Sequence, residues 1–336
     1  MLYDVVLHKK QVLSGLTSNP TLDAFDSDYC KILDSLAASD AFVKDRVDKA
    51  LAELDLAGEI NYSDHYRTAF DAYNEAVLYY EIQKRGFKIS NIPETSTPTP
   101  DFKVEYGFKD QDQKDVTDTA YIEVKSLSFA DGNLEYQRVQ DAALDANIHS
   151  ESQRNRGRQI CSSEYCVSPL GSKDTGWTSE IEIINRKIEQ NIKQAQYEYG
   201  NGKDTLLLVD LSQYIFPFPM EDCLPVFPDL KHKCSISGRL WMTAFGRLEE
   251  RTFAPCEFEG KGNFDHDLQQ QGILLSHPFI KGIIFTSGTS PKDKRFFGLY
   301  RYEETDDVNA IVLLHQLCDF VNDDQNTQGF QYFDTL

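Results

Sequence analysis

Two stretches decide the fold: Pro100–Tyr106, PDFKVEY, and Tyr121–Lys125, YIEVK. In the first, Phe102, Val104 and Tyr106 fall on one side of an extended chain, with Asp101, Lys103 and Glu105 on the other. In the second, Ile122 and Val124 share one side, with Tyr121, Glu123 and Lys125 opposite. A period of two is that of β-strands with one buried face. Between the two stretches, Gly107 to Thr119 is polar and rich in aspartate, so the pair is predicted to form a hairpin with a long loop. In an antiparallel hairpin the start of one strand lies beside the end of the other. Asp101 therefore falls close to Glu123 and Lys125, and two carboxylates and an ammonium converge.

The pattern extends outward in both directions. Upstream, Phe70, Tyr73, Val77 and Tyr80 follow helical spacing. Lys84 and Arg85 suit the negative end of that helix, Gly86 suits its C′ position, and Phe87 and Ile89 then alternate as in a short strand. Residues 1–65 read as a helical segment, with Asp40 capping a helix through Val43, Val47, Ala50 and Leu54. Downstream, Ile181, Ile184, Ile188, Ile192 and Ala195 make the apolar stripe of a helix over 181–196. Thr205–Leu211, TLLLVDL, is a continuous apolar run, as expected of a strand buried on both faces. Further on, Leu240–Phe245, Gly282–Thr286 and Phe296–Tyr302 are candidate strands, and a closing helix is expected from about Asp307 to Val321. The expected class is α/β: a mixed central sheet flanked by helices. The expected division is a helical segment at 1–65, a core at 66–215 and an α+β extension at 216–336 packed on that core.

Composition narrows the function. With 40% hydrophobic residues the chain can build a large core, so it is globular. No apolar run reaches membrane-spanning length, and Met1–Asp4 does not open a secretory leader, so a cytoplasmic location without membrane partners is expected. Seven cysteines without a C-x-x-C pair argue against a disulfide framework. Cys161 and Cys166 with His232 and Cys234 could make a metal site, though reduced thiols are the plainer reading. The net charge of −20 opposes non-specific attraction to nucleic acid. Phosphate-binding glycine loops and a G-x-S-x-G elbow are absent.

Asp101, Glu123 and Lys125 form a cluster suited to a hard cation. Mg²⁺ takes oxygen ligands and is commonly held by one or two carboxylates plus substrate phosphate. Such a cation polarises a phosphodiester and lowers the pKa of bound water, while a neighbouring lysine orients the attacking water or offsets charge. Glu75 lies on the upstream helix, whose apolar residues surround it, so its carboxylate is expected to be partly desolvated and to need a partner such as a metal or its water.

Pro100-Asp101 followed by Glu123-Val124-Lys125 resembles the motif of the PD-(D/E)xK nuclease superfamily, whose fold is restriction-endonuclease-like. Asn74-Glu75 resembles that superfamily's upstream helix glutamate, and the order helix, strand, strand with Asp, strand with Glu-x-Lys, helix, buried strand also matches. The resemblance covers about residues 70–211. It implies metal binding by Asp101, Glu123 and the Val124 carbonyl, service to the water nucleophile by Lys125, and support of the metal shell by Glu75. It also implies Mg²⁺ as the cofactor with Mn²⁺ as a substitute, nucleic acid as the substrate, DNA ahead of RNA, and a role in restriction or defence. Two cuts in a duplex call for two sites, hence a homodimer. The acidity leaves two rivals: a non-catalytic nucleic-acid-binding or complex subunit of the same fold, and an RNA-directed or partner-activated effector that docks on a basic protein.

Other residues carry weaker signals. Arg154, Arg156 and Arg158 in SESQRNRGRQ (150–159) suit phosphate contacts or a solvated loop equally. Lys187, Asn191 and Gln194 share the polar face of the 181–196 helix, where they could reach a substrate but fit a solvated face better. Asp110, Asp112, Asp115 and Asp118 read as an acidic loop, and Asp265-His266-Asp267 as a surface turn. Lys292, Lys294 and Arg295 beside Phe296 and Phe297 suit either nucleic-acid contact or a basic turn.

Overall fold

A computed structural model describes residues 1–13, 20–58, 64–93, 95–109, 113–128, 145–146, 148–158, 176–199, 205–213, 218–256, 258–302 and 309–326. Five helices come first: α1 (Leu2–Leu13), α2 (Pro20–Asp23), α3 (Ser27–Leu36), α4 (Ala41–Leu56) and α5 (Asp64–Lys84). Strands β1 (Lys88–Asn91), β2 (Phe102–Lys109) and β3 (Asp115–Ser126) follow. Then come helix α6 (Trp177–Glu189), the single turn α7 (Gln194–Tyr197) and strand β4 (Thr205–Asp210). The remainder comprises β5 (Val226–Asp229), β6 (Cys234–Ser237), α8 (Arg239–Phe245), β7 (Arg251–Phe253), β8 (Phe264–Asp267), α9 (Ile273–Ser276), β9 (Gly282–Ser287), β10 (Arg295–Tyr300), α10 (Asn309–Leu317) and β11 (Phe320–Asp323).

Local chemistry accounts for the boundaries nearest the hairpin. The Asp40 carboxylate accepts from the backbone N–H of Phe42 and Val43 at 2.9 and 3.0 Å, satisfying two donors that α4 leaves open. Helix α5 stops at Lys84, and Gly86 turns the chain into β1 with φ +92°, a conformation that side chains disfavour. Before that stop, Phe70, Tyr73, Ala76, Val77, Leu78 and Ile82 are all buried, so α5 is packed nearly all round.

Seven strands form one sheet in the order β1-β2-β3-β4-β9-β10-β11. β1, β2 and β3 are antiparallel neighbours, β4 runs parallel to β3, and β9 parallel to β4. β10 returns antiparallel, and β11 pairs parallel to β10. The sheet is therefore mixed, and helices cover both faces. On one face Val104, Ile122, Leu206, Leu208 and Ile284 pack with residues of α1 to α5 and α10. On the other, Leu207, Val209, Ile283 and Phe285 pack with α6, α8 and α9. The apolar run of β4 thus divides residue by residue between two cores, as its composition predicts.

Several expectations need correction. β2 reaches Lys109 and β3 begins at Asp115, so the polar stretch expected as a loop is mostly paired strand. It is polar because that end of the hairpin leaves the core: Asp115 and Thr117 are exposed. Leu240–Phe245 lies in a helix, α8, with every residue of that stretch buried; burial on all sides removes the periodicity that separates helix from strand. The helix over 181–196 breaks after Glu189, where the Asn191 side chain donates to the Lys187 carbonyl at 3.1 Å and competes with a further helical turn. Val321 belongs to β11 rather than to the closing helix. Residues 216–336 supply β9, β10 and β11 to the central sheet itself, so that segment completes the core as well as packing on it.

Candidate active site

The hairpin register brings the three central residues together. Phe102 pairs with Ile122, and the Asp101 N–H donates to the Ile122 carbonyl at 3.1 Å, so Asp101 stands across from Glu123 at the point where β2 begins. Asp101 Oδ2 accepts the Val124 N–H at 2.7 Å. In an extended strand the N–H and C=O of one residue point to the same side. The Val124 carbonyl is therefore directed toward Asp101 as well, beyond the end of β2. Lys125 Nζ donates to Glu123 Oε1, and both side chains are buried or nearly so. Glu123 is only 1% exposed, and its second oxygen, Oε2, has no hydrogen-bond partner among the described residues. A buried carboxylate oxygen without a donor is costly, so this atom can take a proton, a further donor or a cation.

Electrostatics agree with that geometry. Burial pushes the Glu123 carboxyl up to about 7, the negative field of Asp101 adds to the rise, and Lys125 and the Gln196 amide oppose it. The Gln196 amide nitrogen itself donates to the Thr99 carbonyl at 3.3 Å. Tyr197 is 2% exposed, and burial, aided by Glu123 and Asp101, pushes its phenol far up, so it stays protonated. Neither Gln196 nor Tyr197 was legible as a site residue, because both depend on the helix break that creates α7.

Helix α5 forms the opposite wall. Glu75 Oε2 is held by Arg46 Nη1 of α4 at 2.8 Å, so a guanidinium supplies the partner that the sequence reading sought in a metal or its water. Burial still raises the Glu75 carboxyl, with Arg46 opposing and Asp101 adding to the rise. One turn earlier, burial pushes Asp71 up to about 7, with Arg67 opposing. Asn74 Nδ2 donates to Ser126 Oγ at 2.8 Å and ties α5 to the end of β3. Arg46 and Asp71 carry no spacing signal of their own and were not singled out from sequence, and Asn74 was read only as the neighbour of Glu75.

A cleft of about 460 Å³ lies between these walls, lined by Asp71, Glu75, Val124 and Lys125 and by Lys187, Gln190 and Asn191 of the α6 end. Asp101 and Glu123 are not part of that lining, and Lys125 links the cleft to Glu123. Lys187 is buried, with Nζ on the Ser128 carbonyl at 3.1 Å. Asn191 is exposed at the rim. Arg154, Arg156 and Arg158 are exposed and do not line this cleft. Gln194 faces outward and donates to Glu198 at 2.6 Å.

The donor set suits a hard cation: a carboxylate from Asp101, an unpartnered oxygen from Glu123 and a backbone carbonyl from Val124. Among the described residues no three His, Cys, Asp or Glu side chains are grouped so as to hold a metal ion. No protein-family model, curated protein or solved structure matches this chain.

The remaining candidates resolve differently. Asp265 accepts from the Thr178 N–H and hydroxyl at 2.8 and 2.7 Å and fixes the start of α6, so it is not a surface turn. Lys294 closes a turn just before β10, as expected, but its side chain is 1% exposed and donates to Asp210 Oδ1 and Ser212 Oγ, each at 2.6 Å. Phe296 and Phe297 are core residues. Cys234 and Cys256 are free thiols, His232 is paired to Asp229, and Cys161, Cys166, Asp110 and Asp112 lie outside the described residues. No helix among the described residues is long and apolar enough to cross a membrane.

Proposed function

We propose that this chain is a metal-dependent nuclease that hydrolyses phosphodiester bonds of nucleic acid, DNA in the first place, at the centre formed by Asp101, Glu123 and Lys125. The observation that carries this reading is Glu123 Oε2, buried and without a partner beside Asp101 and Lys125. The element order supports it: α5, then an antiparallel β1-β2-β3 with Asp101 opening β2 and Glu123 and Lys125 ending β3, then α6 and the parallel β4. That order is the one expected of a restriction-endonuclease-like core, and a restriction or defence role in the cytoplasm follows by analogy.

Asp101, Glu123 and the Val124 carbonyl would hold Mg²⁺, for which Mn²⁺ can substitute. The ion supplies polarisation of the phosphodiester and a water of lowered pKa. Lys125, on the cleft wall, orients the attacking water and offsets negative charge at phosphorus. Glu75, with Oε2 paired to Arg46, stands on the cleft wall and adds negative field at Asp101 in support of the metal shell. Asn191, exposed at the cleft's α6 end, contacts the substrate backbone, while Lys187 lines the cleft with its ammonium on the Ser128 carbonyl, and two chains would act together on a duplex.

The charge of −20 favours one second reading, an effector silent until a basic partner docks and offsets the repulsion of nucleic acid. One experiment separates the readings. Purified protein is incubated at low salt with supercoiled plasmid, linear duplex, single-stranded DNA and RNA, in EDTA, Mg²⁺ or Mn²⁺. Metal-dependent cleavage by the wild type but not by Asp101→Ala or Lys125→Ala supports the nuclease. Metal-induced thermal stabilisation without cleavage supports the partner-activated effector. Neither cleavage nor stabilisation supports a non-catalytic binding subunit.

A further inference from the structure

Three buried polar atoms belong to one neighbourhood: Glu123 Oε2, Gln196 Oε1 and Tyr197 Oη. None has a hydrogen-bond partner among the described residues. They come from two elements, β3 and the single turn α7, and α7 is fixed on both sides. Gln196 Nε2 donates to the Thr99 carbonyl at 3.3 Å, two residues before Asp101, and the same amide is a polar neighbour of Glu123 that lowers its carboxyl. The Tyr197 ring packs on Phe279 with centroids 5.5 Å apart, inside the core on the α6 side of the sheet. Its phenol lies within the fields of both Glu123 and Asp101, yet hydrogen-bonds to neither carboxylate. A buried phenol donor and a buried amide oxygen on residues neighbouring a buried carboxylate, each without a partner among the described residues, suit an ordered water or a hydrated cation.

We infer that Tyr197 and Gln196 are positioning residues of the Asp101–Glu123 centre, the phenol donating a hydrogen bond to, and the amide oxygen accepting one from, water carried by a divalent cation on those carboxylates. The inference rests on the metal-dependent reading above. It adds two residues from a segment outside the Asp, Glu-x-Lys pattern. It also explains why a helix that could have continued is broken before Gln194 and restarted for one turn: the break brings Gln196 and Tyr197 to the carboxylates. Outer partners of this kind orient the inner ligands, and their removal weakens metal binding about 10- to 100-fold.

The test is Mn²⁺ binding by the full chain, followed through loss of the free-ion electron paramagnetic resonance signal, with thermal unfolding in EDTA run beside it. Tyr197→Phe keeps the ring and removes only Oη. Its expected result is a loss of Mn²⁺ affinity of about tenfold or more with unfolding in EDTA unchanged or later. Gln196→Met, similar in shape without the amide, is expected to lose affinity in the same direction and covers the case in which Tyr197→Phe perturbs the fold. Wild-type affinity in both variants would overturn this inference and leave the nuclease reading standing. Absence of Mn²⁺ binding by the wild type would overturn both.

Discussion

Glu123 is a buried carboxyl with one oxygen unpartnered among the described residues, so its charged form is disfavoured. In the fold it keeps its proton to about pH 7, whereas in the unfolded chain it loses it near 4.5. The folded state therefore holds an extra proton across that window, and the metal-free protein loses stability as pH rises through it before levelling off. A rise from 4.5 to about 7 is of the order of 3 kcal/mol. Asp71, pushed from 3.8 to about 7, acts in the same direction. Glu123→Gln should thus remove a large part of the decline, and urea unfolding in EDTA between about pH 5 and pH 8 measures it. An unchanged decline in that variant would contradict the assignment. Lys125→Ala should lower cleavage by about 10²- to 10⁴-fold while Mn²⁺ binding persists, since the lysine serves water and phosphate rather than the ion. At this scale the sequence was informative where contacts are local. Asp101, Glu123 and Lys125 meet through hairpin register alone, whereas Arg46, Asn74, Gln196 and Tyr197 arrive through helix docking that no short spacing encodes.

Helices set the walls of the site, and their energetics can be tested separately. Arg46 of α4 and Glu75 of α5 join the two helices at 2.8 Å, with both side chains about a quarter exposed. Arg46→Met should cost about 1–2 kcal/mol in chemical denaturation, because the half-buried Glu75 loses its partner, and should raise the Glu75 carboxyl further. A stability equal to wild type would show that water replaces the guanidinium. The amphipathic α6 was readable from its isoleucines, because one face meets the core and the other meets solvent. Helix α8 was not, because Leu240, Trp241, Met242, Ala244 and Phe245 are all buried and leave no polar face to mark the period. The α6 break was hidden for a different reason: Ile192 and Ala195 continue the apolar spacing, but Asn191 claims the terminal carbonyl first.

For the molecule as a whole, the C-terminal third is bound to the site-bearing strands by a buried ion pair. Lys294 at the edge of β10 meets Asp210 at the end of β4, and Thr286 and Ser212 complete the carboxylate's hydrogen bonds at 2.5 and 2.8 Å. Lys294→Met leaves that charge buried and should destabilise by about 3–5 kcal/mol, while the Asp210→Asn/Lys294→Met pair should recover part of the loss. Equal instability of single and double variants would mean that packing rather than charge is responsible. Residues 216–336 were hard to read because their strands are short and their partners distant in sequence: β9 joins β4 across more than seventy residues that fold as hairpins and helices of their own. The charge of −20 belongs to this scale too, and opposes long-range attraction of a polyanion.

The most direct test of the central claim is the rate of plasmid cleavage in saturating Mg²⁺ by wild type and Glu123→Gln, purified identically and matched by circular dichroism. The account predicts cleavage by the wild type that EDTA abolishes, and a loss of about 10³-fold or more in the variant. Cleavage by Glu123→Gln at the wild-type rate would contradict it.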